Sequence, residues 1–429
     1  MTIVACSTPP GVSGIAVVRI SGKGAIKNIS TFVKDSPFDD KTPLSRVCFL
    51  VDRDGEVFDE AVITSYVGPN SYTGENLVEI SCHGNPKIIS RIIDLSVDAG
   101  SRLAEAGEFT KTAFLNGKLD LSEAESVASI IHSLSLTGVK AGVKNLKGGL
   151  SKEIRSIKSS LISLVANLEF NLDISEEDLQ PDLLKQTRET VLGVAKKLND
   201  CIHCFEETKM FQSGASVVIL GPPNAGKSTL FNRLVNKNQS IVTSVEGTTR
   251  DVIEKNINIS GLPILLKDTA GIRDSGDDVE KIGVERSFVE AKDADLVVVL
   301  NDRSLSFGDT KHIHVFNKSD IKTPDEKYDI SISAKTGDGV KKLKETVYNS
   351  LVGNKVQTDT LIISKRQCNA IKGALKHIKE AHLLLLAGDS IELLIEDINR
   401  SIGFLDSITE KTTKDDVLDA VFSSFCVGK

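Results

Sequence analysis

The chain has 429 residues, 40% hydrophobic and 26% charged, enough to bury cores for roughly two to four domains. A formal charge of −7 argues against a protein that coats nucleic acid by bulk electrostatics and leaves room only for a local basic patch. The opening residues MTIVACSTPPG lack a basic region leading into an apolar one, and runs such as Leu296 to Leu300 and Leu383 to Ala387 are far shorter than the ~20 residues that span a bilayer, so a cytoplasmic protein with no membrane segment is expected.

Residues 1–118 carry β-type runs at Gly14 to Ile20, Val57 to Tyr66 and Leu77 to Ser81, broken by turn clusters at Pro69-Asn70 and Gly84-Asn85, which reads as an α+β domain. Over 119–212 the spacing turns helical, with Leu161, Leu164, Val165 and Leu168 on one face. Over 213–354 short apolar runs at Val217 to Leu220, Leu262 to Leu266, Leu296 to Leu300, His314 to Phe316 and Ile330 to Ser333 alternate with candidate helices, which predicts a parallel α/β sheet. Between Leu300 and Val315 there is room only for a trimmed helix. Over 355–429 the helical pattern returns, with capping boxes expected at Asp389/Glu392 and Thr413/Asp416. The simplest reading is one helical bundle interrupted by an inserted α/β domain; two separate helical domains would leave the same pattern. The seven cysteines lack framework spacing and read as reduced thiols. Cys201 and Cys204 form a lone CxxC, read as a coincidence of helix spacing.

The α/β segment carries the chemistry. Gly221 to Ser228 reads GPPNAGKS, follows a strand and opens a helix, the context that a phosphate loop requires. Backbone N–H groups around Asn224, Ala225, Gly226 and Thr229 suit phosphates, Lys227 reaches the outer phosphates, and Ser228 offers a hydroxyl to Mg²⁺. Downstream, Asp268, Thr269, Ala270 and Gly271 end a strand and place a carboxylate on the magnesium side, while Thr249 is the natural second hydroxyl ligand. Asn317, Lys318 and Asp320 stand in NKSD; the Asp320 carboxylate accepts from guanine N1–H and the 2-amino group, neither of which adenine offers, so GTP is preferred. Ser333, Ala334 and Lys335 match a loop whose backbone N–H groups support guanine O6. Ile272 follows Gly271 where a water-orienting glutamine would stand, so another group must position the nucleophile. The acidic stretch Asp274 to Glu280 is the obvious source, with Arg250 or Arg273 available as an arginine finger; singly, each also reads as a surface charge.

GTTRD, DTAG and NKSD, together with the terminal Phe425-Cys426-Val427-Gly428-Lys429 and the TPPG, SYTGEN and FLNGKLDL segments, resemble the MnmE (TrmE) family of tRNA modification GTPases over essentially the whole chain. The resemblance implies a multidomain α/β protein: an N-terminal folate-binding-like, dimerising domain, a helical bundle, and an inserted Ras-like P-loop GTPase domain. It implies K⁺ beside the phosphates, held by Asn224 and by Thr243, Val245 and Thr248 of a loop that also includes Ser244, Glu246 and Gly247, when two such domains meet. Glu280 matches the family's catalytic acid, with Asp277 or Asp278 as the second choice. Arg19, Glu79, Lys118 and Lys429 match positions for 5-formyl- or 5,10-methylene-tetrahydrofolate; read by themselves, Arg19 and Lys118 are solvated charges. His83-Gly84-Asn85 departs from the more usual HGG, and Thr112 stands where arginine is common. Implied partners are a second copy, tRNA, and the FAD-dependent MnmG (GidA) in a heterotetramer, with NADH and glycine or ammonium. Cys426 has no evident partner base and reads as non-catalytic. Lys140, Lys144, Lys147, Lys152, Arg155 and Lys158 recur at helical spacing and suit tRNA phosphates or, more simply, a solvated face. The alternative class is an RNA-binding ribosome-assembly or regulatory GTPase without modification chemistry, which the phosphate loop and NKSD fit equally.

Overall fold

The computed structural model describes residues 1–174, 181–235, 253–268, 289–308, 310–323, 328–353, 364–388, 390–409, 415–423 and 425–429. Two compact units emerge. Residues 1–128, 145–198 and 365–429 form the first, and residues 129–144 and 199–364 the second, so the segments flanking the second unit's main stretch belong to one body.

The first unit opens with a six-stranded sheet in the order β3-β4-β5-β2-β1-β6, built from β1 (Ile3–Cys6), β2 (Ser13–Ser21), β3 (Leu44–Val51), β4 (Val57–Tyr66), β5 (Leu77–Gly84) and β6 (Arg102–Leu103). All neighbours are antiparallel except β1 and β6. On β5, Val78, Ile80 and Cys82 turn inward while Glu79, Ser81 and His83 take the other face, the two-residue period of a strand. The inward face packs with Val18 and Ile20 of β2, with Ile26 and Ile29 of α1 (Ala25–Ile29), and with Ile92 and Leu95 of α2 (Pro86–Asp98). Asn85, the departure from HGG, caps α2 by accepting from Lys87 N–H at 2.9 Å, a neat local use for a side chain that glycine lacks. After α3 (Glu108–Leu115) come α4 (Leu121–His132), α5 (Leu136–Leu146), α6 (Gly149–Ile174) and α7 (Pro181–Ser213), of which most of α5 and the stretch of α7 from residue 199 belong to the second unit. The expected stripe is real: Leu161, Leu164, Val165 and Leu168 of α6 are buried.

The second unit holds a sheet in the order β12-β11-β10-β7-β9-β8, made of β7 (Ala215–Leu220), β8 (Ile253–Ile259), β9 (Leu262–Asp268), β10 (Leu296–Leu300), β11 (His312–Asn317) and β12 (Ile330–Ile332), with α8 (Lys227–Leu234) and α9 (Val340–Val352). Five strands run parallel, as expected; β8 is an additional antiparallel edge strand. Its direction is set by Ser260 and Gly261, whose φ values of 52° and 88° make the tight two-residue hairpin turn that matches strand twist. The expected trimmed helix between β10 and β11 is absent among the described residues. Phe307 takes its place on the sheet, packed with Ala291, Val297 and Val299.

The chain closes with α10 (Lys365–Ala387), α11 (Ile391–Thr409) and α12 (Asp415–Phe422) in the first unit. Arg366 of α10 clasps Glu125 of α4 through Nε–Oε1 at 2.8 Å and Nη2–Oε2 at 3.0 Å. Asp389 and Thr413 of the expected capping boxes lie outside the described residues. Cys201 is buried on α7.

Candidate functional site

In the second unit the phosphate loop runs from the buried end of β7 to the first turn of α8, at the carboxyl edge of a parallel sheet where open α/β folds bind ligands. Gly226 caps α8 with φ 92°, and a Cβ there would stand 2.3 Å from Asn317 Nδ2, so only glycine fits. Asn224 also has positive φ, 61°, which asparagine tolerates better than most residues. Lys227 Nζ donates to the carbonyls of Gly221 (2.7 Å) and Pro222 (3.1 Å), folded back into the loop where outer phosphates would lie. Burial pulls the Lys227 ammonium below its ordinary range, and the Asp268 carboxylate works against that fall. Ser228 and Thr229 are exposed on the first turn, and Asp268 is buried at the end of β9 opposite Ile219. Lysine, hydroxyl and carboxylate therefore fit a nucleotide with Mg²⁺.

Base-side residues are tied to this loop by one amide. Asn317 Nδ2 donates to Ala225 O at 2.7 Å, its Oδ1 accepts from Ala334 N–H at 2.9 Å, and its own N–H is held by Asn301 Oδ1 at 2.7 Å. Asn317 and Ser333 are buried, while Lys318, Asp320 and Lys335 are exposed. The structure thus brings together Asn224 through Thr229, Asp268, Asn317 through Asp320 and Ser333 through Lys335. Two contributors had no signal in the sequence: Asn301, and Arg233 of α8, whose Nε donates to Ala334 O at 3.1 Å. Thr243 to Asp251 and Thr269 to Glu280, including Thr249, Gly271, Ile272, Arg273 and Glu280, lie outside the described residues. Of the expected K⁺ ligands, only Asn224 is described.

In the first unit, Arg19 of β2 and Glu79 of β5 stand opposite in register, and Arg19 Nε and Nη2 donate to Glu79 Oε1 at 3.0 and 2.6 Å. The guanidinium lies 5.4 Å from the Tyr72 ring and 5.6 Å from the Phe109 ring. Tyr72 OH bonds Thr110 Oγ1 at 2.9 Å, and burial raises its phenol pKa, with Thr110 and Arg19 opposing. The terminal motif docks beside them: Phe425 packs with Phe114 and Phe422, Phe109 N–H donates to Lys429 O at 3.1 Å, and Ser7 Oγ donates to Gly428 O at 2.8 Å. Lys118 Nζ donates to Pro69 O at 2.9 Å, and Thr112 Oγ1 donates back to Glu108 O at 2.8 Å. A carboxylate and a guanidinium side by side, the guanidinium near two aromatic rings, fit a ligand that carries both hydrogen-bond donors and acceptors.

The six basic residues of the helical stretch are not one free face. Arg155 donates to Asp120 at 2.9 Å and Lys158 pairs with Asp406, so part of that charge is spent within the first unit. Among the described residues no helix is long and apolar enough to cross a membrane.

Comparison with known proteins adds a second line. The family profile for the MnmE helical domain matches residues 121–426, and that for the GTP-binding protein TrmE N-terminus matches residues 2–118. A protein of Aquifex aeolicus (strain VF5) named tRNA modification GTPase MnmE is 38% identical over 445 residues, spanning 100% of this chain and 99% of the relative. A protein of the same name from Fervidobacterium nodosum is 37% identical over 450 residues, spanning 100% and 97%. Among solved structures, Aquifex aeolicus Era bound to GDP.AlF4⁻ is 24% identical at a TM-score of 0.26, covering 38% of this chain and 66% of that one.

Proposed function

The chain belongs to the MnmE family of tRNA modification GTPases, and from that premise we propose that it couples K⁺-stimulated GTP hydrolysis to addition of an aminomethyl-type group at C5 of the tRNA wobble uridine. The observation that carries the nucleotide half of this reading is the Asn317 side chain, which bridges the phosphate loop at Ala225 and the base loop at Ala334. Such a bridge serves a ligand that has phosphates at one end and a purine at the other.

In this mechanism Lys227 and the amides at the start of α8 hold the outer phosphates, and Ser228 with Thr249 would hold Mg²⁺. Asp320 accepts from guanine N1–H and the 2-amino group. Glu280 orients the water that attacks the γ-phosphorus as the bond to the β–γ bridging oxygen breaks, giving GDP and phosphate. Potassium, when bound at Asn224, Thr243, Val245 and Thr248, supplies the positive charge that other GTPases take from an arginine finger. In the first unit Arg19, Glu79, Lys118 and Lys429 hold a one-carbon tetrahydrofolate, the source of the added carbon. A second copy brings two GTPase domains together, and an FAD-bearing MnmG subunit completes a cytoplasmic complex that acts on tRNA.

Deleting the gene and measuring wobble-uridine modification in bulk tRNA tests this reading. Loss of the modification is expected; normal modification with defective ribosomal particles would favour an assembly GTPase instead. Turnover of the purified chain should be faster in K⁺ than in Na⁺, and equal rates would remove the potassium step.

A further inference from the structure

Arg233 sits in the last turn of α8, the helix whose first turn carries Lys227 and Ser228. Its Nε donates to Ala334 O at 3.1 Å and its Nη2 donates to Lys335 O, so one planar fork holds two successive carbonyls of the base loop. In a trans peptide the carbonyl and the following N–H point in opposite directions. Holding the Ala334 carbonyl toward α8 therefore turns Lys335 N–H away from it.

The neighbouring amides are already engaged. Ser333 N–H donates to Asp338 O at 3.0 Å, Ala334 N–H to Asn317 Oδ1 at 2.9 Å, Thr336 N–H to Ser333 Oγ at 3.1 Å, and Gly337 N–H to Ser333 O at 2.8 Å. Between Ser333 and Gly337, Lys335 N–H is the amide with no acceptor among the described residues. We infer that Arg233 is a positioning residue for base recognition: it aims Lys335 N–H as a fixed donor at the 6-oxo group of the purine. A 6-amino group would set N–H against N–H there, so this orientation adds to the discrimination that Asp320 makes at the opposite edge of the base. The inference rests on the guanine-nucleotide reading of the site and names a residue through which that reading works.

The test uses the full chain with Arg233→Met, which keeps the apolar stem, and Arg233→Lys, which keeps one donor. Binding is measured for GDP, for inosine diphosphate, which has the 6-oxo group without the 2-amino group, and for 2-aminopurine riboside diphosphate, which has the reverse. Losing an oriented charge-assisted tether should weaken GDP and inosine diphosphate by about tenfold in Arg233→Met. The 2-aminopurine nucleotide should bind as before, kcat at saturating GTP should hold, and Arg233→Lys should recover part of the loss. Unchanged GDP affinity in Arg233→Met, or equal weakening of all three nucleotides, would overturn the inference while leaving the guanine reading intact. A wild-type chain that bound ADP as tightly as GDP would overturn both.

Discussion

Replacing Asn317 with alanine attacks the joint on which the nucleotide site depends. The residue is 3% exposed, and the change removes the donor facing Ala225 O at 2.7 Å and the acceptor facing Ala334 N–H at 2.9 Å. Each buried polar group left without a partner costs ~1–3 kcal/mol, so the pair costs about 2–6 kcal/mol. Water entering from the open side of the site relieves part of this. The two loops then relax apart in the free protein and must be regathered by the ligand, so a loss of about 2–4 kcal/mol appears as GDP binding weaker by roughly 30- to 1000-fold. Titration with a fluorescent GDP analogue measures it. Asn317→Asp is the companion: it keeps an acceptor for Ala334 and sets oxygen against oxygen at Ala225, so it should also weaken binding. GDP affinity within about threefold of wild type in both variants would show that the bridge does not organise the site.

Glu280→Ala should lower kcat by about 10²-fold while leaving GTP affinity nearly intact, read by single-turnover hydrolysis beside nucleotide titration; a large affinity loss at unchanged turnover refutes its role in orienting water. Burial, aided by the Asp59 charge, pushes the Cys82 thiol from 9.0 up to about 11. The folded chain keeps that proton after the unfolded chain has lost its own, so the contribution is full below pH 9.0 and gone above about 11. Denaturant titrations across that window should show about 3 kcal/mol of loss that Cys82→Ala removes, and an unchanged slope in the variant would refute the assignment. Arg366→Ala strands the largely buried Glu125 carboxylate between α4 and α10; because Gln367 Nε2 still donates to it, the cost should fall near the low end for a broken buried pair, about 3 kcal/mol, with Glu125→Gln restoring part. Thermal unfolding unchanged in Arg366→Ala would show that the clasp adds nothing.

How much of this was legible depended on whether the determining contact is local. The phosphate loop was readable because a turn tight enough to wrap phosphates forces glycine at 226 and lysine at 227, whatever the rest of the chain does. The α6 stripe was readable because helix periodicity repeats over seven turns of one segment. β8 is weakly marked in the sequence because its inward Ile257 and Ile259 alternate with Asn256 and Asn258, leaving few apolar residues to signal an edge strand, with only the short Ser260-Gly261 turn beside it. With β8 missed, the sheet read as wholly parallel. The Arg19–Glu79 pair had no local signal at all, since the two lie 60 positions apart and meet only through the β2–β5 register. The Arg233 tether spans 101 positions.

The same logic explains how the last five residues are held largely through their backbone. Cys426 is exposed, and its carbonyl accepts from Gly107 N–H at 3.5 Å and Lys429 N–H at 3.3 Å. Val427 bridges Ala106, Gly428 O takes the Ser7 hydroxyl, and Lys429 O takes Phe109 N–H. Those partners belong to the loop after β1 and to the approach to α3, the segment that also sets the Phe109 ring beside Arg19. A side chain at position 425 anchors the strap, because Phe425 fills a cluster with Phe114, Leu121 and Phe422. The tail therefore acts as a clasp between the two ends of the chain, and its sequence is constrained by the fit of its backbone against residues more than 300 positions away, as the 421-position span from Ser7 to Gly428 requires.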